Sequence, residues 1–244
     1  MRQDPNLHRE KPLVMRLSLQ SECPYLAGQT EQRIAVNVAH SPDVHDSLAR
    51  AGFRRVENWV YRPACPNCSA CTPWRVNAKE FKPSRNMIRI QNGNRSLERL
   101  VTQPLVTDAH YELFREYVSK RHTDGQMAAM SREDFTNMIV NSPLETILVN
   151  YFDRDKKLLA TVMVDIQVDG LSAVYSFFNP FADKRSLGTF MVLDLLKMAK
   201  KENLPWLYLG YYVEGSTKMM YKARFQPAQI YRDGIWVDYK NKSI

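Results

Sequence analysis

Residues 206 to 227, WLYLGYYVEGSTKMMYKARFQP, constrain the fold more than any other stretch, because an apolar strand runs directly into a segment with helical spacing. Trp206 to Val213 reads as a buried strand. Gly215 breaks it, and Ser216 stands where a helix cap belongs. In the expected helix, Lys218, Tyr221, Lys222 and Phe225 fall within about 60° of one another, so two ammonium groups, a hydroxyl and a ring share one stripe. Such a stripe suits a polyanion that carries bases. It equally suits a solvated face whose lysines serve solubility.

The first hundred residues read as strands and turns with one marked helix, capped by Ser41, with Pro42 in its first turn and Gly52 at its end. The segment from Lys82 to Arg99 mixes arginines with Asn and Gly and reads as a joining stretch. Beyond it, 108 to 121 carries Tyr111, Phe114 and Val118 at helical spacing, and 131 to 140 opens with Ser131 and Asp134 in a capping-box arrangement. Strands are expected at Glu145 to Phe152, Leu158 to Val168 and Leu171 to Phe178, the last two joined by a hairpin at Asp169-Gly170. An amphipathic helix from Leu187 to Lys201 follows, then the Trp206 strand, the signature helix and a hairpin through Asp233-Gly234. The chain divides into 1–100, strand-rich and cysteine-containing, and 101–244, read as the catalytic part.

At 244 residues and 44% hydrophobic, the chain can bury a real core. Thirty-four Lys and Arg against 26 Asp and Glu give a formal charge of +8, which favours an anionic partner without naming one. The charged start lacks the apolar core of a signal peptide, and no run reaches the about 18 apolar residues of a membrane span. The expectation is a cytoplasmic protein without a membrane partner.

The wording of the 206–227 segment resembles the signature of the aminoacyl-tRNA:protein transferases, Y-Y-x-x-x-x-x-K-M-x-Y-K-x-x-F-x-P, here Tyr211, Tyr212, Lys218, Met219, Tyr221, Lys222, Phe225 and Pro227. Upstream lie SECPYLAGQT at 21 to 30, GFRR at 52 to 55, YRPACPNCSAC at 61 to 71, FKPSR at 81 to 85 and RHTDGQM at 121 to 127. The chain is most similar to the bacterial branch of this arginyl-tRNA:protein transferase family, whose members transfer leucine from leucyl-tRNA to proteins beginning with Asp or Glu. The resemblance implies charged tRNA and such acceptor proteins as partners, and aminoacyl-tRNA as co-substrate with no cofactor required for transfer.

The order of elements is that of an α/β (α+β) N-acetyltransferase-like fold, known as the GNAT fold, in the C-terminal part, and the resemblance implies the same fold. In coenzyme A enzymes of that fold, small residues before the long helix let bare N–H groups grip a pyrophosphate. Here the loop carries Arg185, Gly188 and then Phe190, which disfavours coenzyme A. The same helix start suits a phosphate of the tRNA acceptor end.

Cys65, Cys68 and Cys71 are separated by two residues each in a proline-rich loop, so three thiolates can face one centre, with Cys23 brought in by folding. Zinc and an iron-sulfur cluster both satisfy this pattern. So do free cysteines packed as small hydrophobes. Cys23 and Tyr25 match the family's N-terminal block, which implies a role in ordering the N-terminal lobe or in binding.

The implied reaction is attack of an α-amine on the ester joining an amino acid to tRNA. With a pKa near about 8, part of that amine is already neutral at neutral pH, and positioning supplies much of the rate. Glu214 is the first candidate to accept the departing proton and Asp165 a weaker one; Tyr211 or Tyr212 is the candidate donor to the oxyanion. The acceptor's carboxylate calls for an arginine, Arg224 or Arg121, the latter beside His122. Lys218, Tyr221, Lys222, Arg85 and Arg89 are the expected tRNA contacts. Arginyl transfer, coenzyme A-dependent N-acetylation and a non-catalytic RNA-binding module with a zinc knuckle are the alternatives.

Overall fold

The computed structural model describes residues 13–121 and 126–240. The N-terminal lobe is built from β1 (Met15–Leu17), the short pair β2 (Ser21–Glu22) and β3 (Thr30–Glu31), β4 (Arg33–Asn37), helix α1 (His45–Arg50), β5 (Arg54–Val56) and β6 (Trp59–Pro63). Four of these strands form an antiparallel sheet in the order β1-β4-β6-β5, over a small core of Val36, Val38, Phe53 and Val60. Gly52 ends the α1 region at φ +84, in the left-handed region open to glycine, and a Cβ there would meet Pro73 at 2.7 Å.

The chain then enters an eight-stranded sheet with β7 (Cys71–Asn77). The stretch read as a joiner contains helix α2 (Arg85–Gly93), capped by Ser84, which accepts from the Met87 N–H. Its Asn and Gly residues hide the pattern, yet Met87 is buried and Ile90 packs beside it in the core, while Arg85 and Arg89 face solvent. β8 (Glu98–Thr102), α3 (Asp108–Arg121) and α4 (Arg132–Val140) follow, and the Ser131–Asp134 capping box forms as expected. The meander β9 (Thr146–Phe152), β10 (Leu158–Gln167) and β11 (Gly170–Phe178) leads to α5 (Leu187–Lys201), β12 (Trp206–Val213), β13 (Ala228–Arg232) and β14 (Ile235–Asp238). The β10–β11 turn lies one residue earlier than Asp169-Gly170. Gln167 pairs with Gly170, which already belongs to β11 and must be glycine because a Cβ would lie 2.5 Å from the Trp206 carbonyl.

The large sheet runs β14-β13-β7-β12-β11-β10-β9-β8. Alternation along β10 sends Ala160, Val162 and Val164 into the core under α2 and α5, and Met163 into the core under α3 and α4. Among the described residues, no helix is long and apolar enough to cross a membrane.

The signature segment departs from expectation. In place of an amphipathic helix capped by Ser216, the chain makes tight turns on the Ser216 carbonyl and a 3-10 turn at Met220–Arg224. Ser216 makes no side-chain cap at this turn, whose N-cap position is Met219. Gly215 turns the chain at φ +84, the Met219 and Met220 N–H groups both end on the Ser216 carbonyl, and Pro227 follows closely, so the segment closes in short turns that bury Lys222 (4% exposed) and Phe225 (0%).

Candidate active site

β11 and β12 are parallel, and they pair only from Gly170–Ser172 to Trp206–Tyr208. Beyond that point they part. Each carries a bulge at the parting: Val174 is the extra residue of β11 against β10, and Leu209 that of β12 against β7. A bulge bends its strand and leaves one residue out of the ladder, so the pair opens a gap between two otherwise buried strands. The inner residues of β11 from Ala173 to Ser176 are accordingly only partly buried.

Arg54 of β5 reaches into this gap from the N-terminal lobe. Its Nη2 donates to the carbonyls of Ala173 (2.8 Å) and Val174 (3.2 Å), and its Nη1 lies 3.5 Å from Ser172 Oγ. Gly210, at φ +78, makes the approach feasible: a Cβ there would stand 3.0 Å from Arg54 Cζ and Nε. The Arg54 charge is felt at Tyr211, Tyr221 and Lys222, which places it at the centre of the signature residues. Neighbouring Arg55 enters the sheet separately. Its Nε and Nη2 hold the two oxygens of Asp165 at 2.7 and 2.8 Å, Thr146 Oγ1 donates to the same carboxylate at 2.7 Å, and both charged side chains are 1% exposed.

The candidate residues distribute unevenly around the gap. Tyr211 and Tyr212 point to opposite sides, as strand alternation requires. The Tyr211 hydroxyl lies 3.0 Å from the Gly52 carbonyl and 2.9 Å from that of Tyr61, bracing the two lobes. Burial raises its pKa, so this proton stays on. Tyr212 packs on Trp74 and Tyr239. Glu214 is exposed at the end of β12. Asp165 is sealed in the Arg55 pair, where no solvent-borne amine reaches it.

Lys222 was expected beside Lys218 on a solvated stripe; it is buried instead. Its Nζ donates to the Tyr211 carbonyl and contacts Met219 Sδ at 3.2 Å. The Tyr212 carbonyl faces β7, where it accepts from Thr72 Oγ1 at 3.3 Å, so alternation turns the Tyr211 carbonyl to the other side of β12, where β11 has already parted from it and offers no N–H. Burial, then the Arg54 charge, lowers the Lys222 pKa to about 7. Of the stripe, Lys218 and Tyr221 remain exposed, as does Arg224, whose Nε donates to the Tyr221 carbonyl at 3.3 Å.

Arg121 is exposed and paired with Asp183 at 3.2 Å, with Phe178 beneath it. His122 lies outside the described residues. At the start of α5, Ser186 is left-handed at φ +50, a Cβ at Gly188 would stand 3.4 Å from the Phe178 ring, and Arg185 Nη1 is buried without a hydrogen-bond partner among the described residues. Phe190 turns inward, edge-on to Tyr151 at 5.3 Å, rather than standing over the helix start.

The four cysteines are free and partly buried. Burial, then the proximity of Cys23, Cys65 and Cys68, raises the Cys71 thiol to about 12, so it is protonated at neutral pH. Among the described residues, no group of three His, Cys, Asp or Glu side chains forms an arrangement that could hold a metal ion. A zinc or iron-sulfur site on Cys23, Cys65, Cys68 and Cys71, one of the readings the spacing left open, is not supported by this arrangement.

Arg54 received no role from sequence reasoning, although GFRR at 52 to 55 stood out as a matched block. Its placement depends on contacts about 120 residues away, which no local spacing reveals.

Comparison with known proteins places the chain in a family. The N-terminal model of the arginine-tRNA-protein transferases matches residues 21–89, and the C-terminal model matches 109–232. The chain is 42% identical over 222 residues to an aspartate/glutamate leucyltransferase of Ruegeria sp. (strain TM1040), covering 90% of this chain and 81% of that protein. It is 42% identical over 237 residues to the enzyme of the same name from Allorhizobium ampelinum, covering 93% and 94%. Among solved structures, FemX superposes with a TM-score of 0.53 at 8% identity over 93% of this chain and 88% of that one. L-PGS from Bacillus licheniformis gives 0.51 at 13% identity, over 72% and 62%. Matched in both of its halves, the chain belongs to the arginine-tRNA-protein transferase family.

Proposed function

We propose that this protein transfers leucine from leucyl-tRNA to the N-terminal Asp or Glu of acceptor proteins, marking them for N-degron degradation in the cytoplasm. The observation that carries the reading is the gap between the parting parallel strands β11 and β12, with Arg54 in it and the signature residues Tyr211, Tyr221 and Lys222 close enough to feel its charge. The parting of two parallel strands supports reading it as a GNAT-like acyltransferase site, with a catalytic part, 101–244, supplying most of the sheet and an N-terminal part, 1–100, supplying Arg54 and β7.

In this reading the tRNA lies over the exposed cations Lys218, Arg85 and Arg89, and Tyr221 offers a ring for a terminal base. A phosphate of the acceptor end sits at the start of α5, where the bare N–H groups and the unpartnered Arg185 Nη1 meet. The ester carbonyl then enters the gap. Where β11 leaves β12 its backbone N–H groups lose their strand partner, and they serve as oxyanion donors, since Tyr211 is already committed to the lobe contact. The amine attacks as the neutral species, its proton passing to water or to Glu214, and the ribose hydroxyl leaves. Orientation inside a narrow gap provides effective molarity, worth about 7 to 11 kcal/mol in favourable cases.

The experiment is transfer of labelled leucine, with labelled arginine in parallel, from charged tRNA to peptides beginning with Asp, Glu, Lys or Ala. Leucine on Asp and Glu peptides alone is the expected result. Arginine on the same peptides, or no transfer with tRNA bound, overturns it.

A further inference from the structure

Among the described residues, six arginines pair with a carboxylate: Arg33, Arg55, Arg75, Arg99, Arg121 and Arg132. Arg54 does not. Its guanidinium is partly buried and held by neutral oxygens only, two carbonyls and a serine hydroxyl. A partly buried cation left without a counter-charge attracts an anion, and the neighbouring Lys222 supplies no negative charge to relieve it. The carbonyl contacts engage Nη2 and fix the plane of the fork, while Nη1 has only the long approach to Ser172. Donor capacity therefore remains on a preorganised group.

We propose that Arg54 is the specificity-determining residue that receives the side-chain carboxylate of the acceptor's N-terminal Asp or Glu. This rests on the leucyl-transfer reading above. Three features favour this carboxylate over a tRNA phosphate. Arg54 stands between the parted strands, bonded to the Ala173 and Val174 carbonyls of β11 and so close to Gly210 of β12 that a Cβ there would lie 3.0 Å from it, away from the exposed surface that a sugar-phosphate backbone would follow. The exposed cations that suit a polyanion lie outside it, on the signature turn and α2. The acceptor's carboxylate must also sit within one residue of the attacking amine, hence at the reacting centre. Arg121 already has Asp183, and Arg224 lies on the solvent side of the signature turn, so neither offers a comparable partly buried charge without a carboxylate partner.

The test compares transfer to four peptides that differ only at the first residue, Asp, Asn, Glu and Gln, by the parent protein, Arg54→Gln and Arg54→Lys, with tRNA affinity measured on each. The parent enzyme must first discriminate Asp from Asn; absence of any leucyl transfer by the parent refutes the reading of function rather than the role of Arg54. In Arg54→Gln the Asp-over-Asn ratio of kcat/KM should fall about tenfold or more, carried by KM for the acidic peptides, with tRNA affinity unchanged. Arg54→Lys keeps the charge without the fork and should retain part of the ratio, which keeps the test valid if Arg54→Gln fails to fold. An unchanged ratio in either folded variant, whether or not total activity drops, makes Arg54 a structural plug and overturns the proposal. A fall in tRNA affinity with an intact ratio reassigns it to phosphate and overturns it as well.

Discussion

Replacing Asp165 by Asn tests whether this carboxylate is structural or chemical. The perturbation removes one charge from a pair whose two side chains are each 1% exposed. Arg55 Nε and Nη2 lose a bidentate acceptor at 2.7 and 2.8 Å, and an amide nitrogen then opposes one of those donors. Breaking one side of a buried pair costs about 3 to 5 kcal/mol, because the remaining ion is buried without compensation. Total stabilities are about 5 to 15 kcal/mol, so the variant should lose a large share of its margin and show a clearly lower urea midpoint. Replacing both partners, Arg55→Met with Asp165→Leu, removes the stranded charge and should recover much of the loss. Stability is read by urea unfolding and transfer is assayed at low temperature on protein shown to be folded. A change within about 1 kcal/mol for Asp165→Asn would refute the argument from burial. A stable double variant without transfer would show instead that Asp165 takes part in the chemistry.

Lys222→Met addresses a linked proton. The folded Lys222 pKa of about 7 lies below the ordinary value of 10.5, so between those pH values the unfolded chain holds a proton that the folded one has lost, and stability rises with pH. The substitution should remove up to about 1.4 kcal/mol per pH unit from that slope, and identical slopes in urea titrations at several alkaline pH values would contradict the buried lysine. Tyr211→Phe strips a donor shared by the Gly52 and Tyr61 carbonyls and should cost about 1 to 3 kcal/mol by the same measurement. Gly210→Ala adds a Cβ at φ +78, 3.0 Å from Arg54, and should lower the melting temperature and transfer together. Lys218→Ala should weaken tRNA binding and reduce the slope of log affinity against log salt by about 1, whereas Lys222→Met, being buried, should leave that slope alone.

What the sequence determined by itself is the set of elements whose signals are local. The α3 and α5 boundaries, the capping box at Ser131, the Trp206–Val213 strand and the left-handed Asp233-Gly234 turn follow from spacing and turn chemistry within a few residues. The matched blocks likewise carried the family. Tertiary structure decided the rest, because burial and pairing involve residues far apart in the chain. Lys222 looks like a surface cation until β11 is found to leave β12 after Ser172 and Tyr208, which exposes the Tyr211 carbonyl to the Lys222 ammonium. Asp165 looks like a base until Arg55 closes on it, and the spacing of four cysteines leaves metal ligands and free thiols equally open until the described residues are seen to form no group that could hold a metal ion. Arg54 carries no local signal at all. Its meaning arises where two bulged strands part, and the free energy of placing a charge there depends on neighbours that only the folded chain assembles.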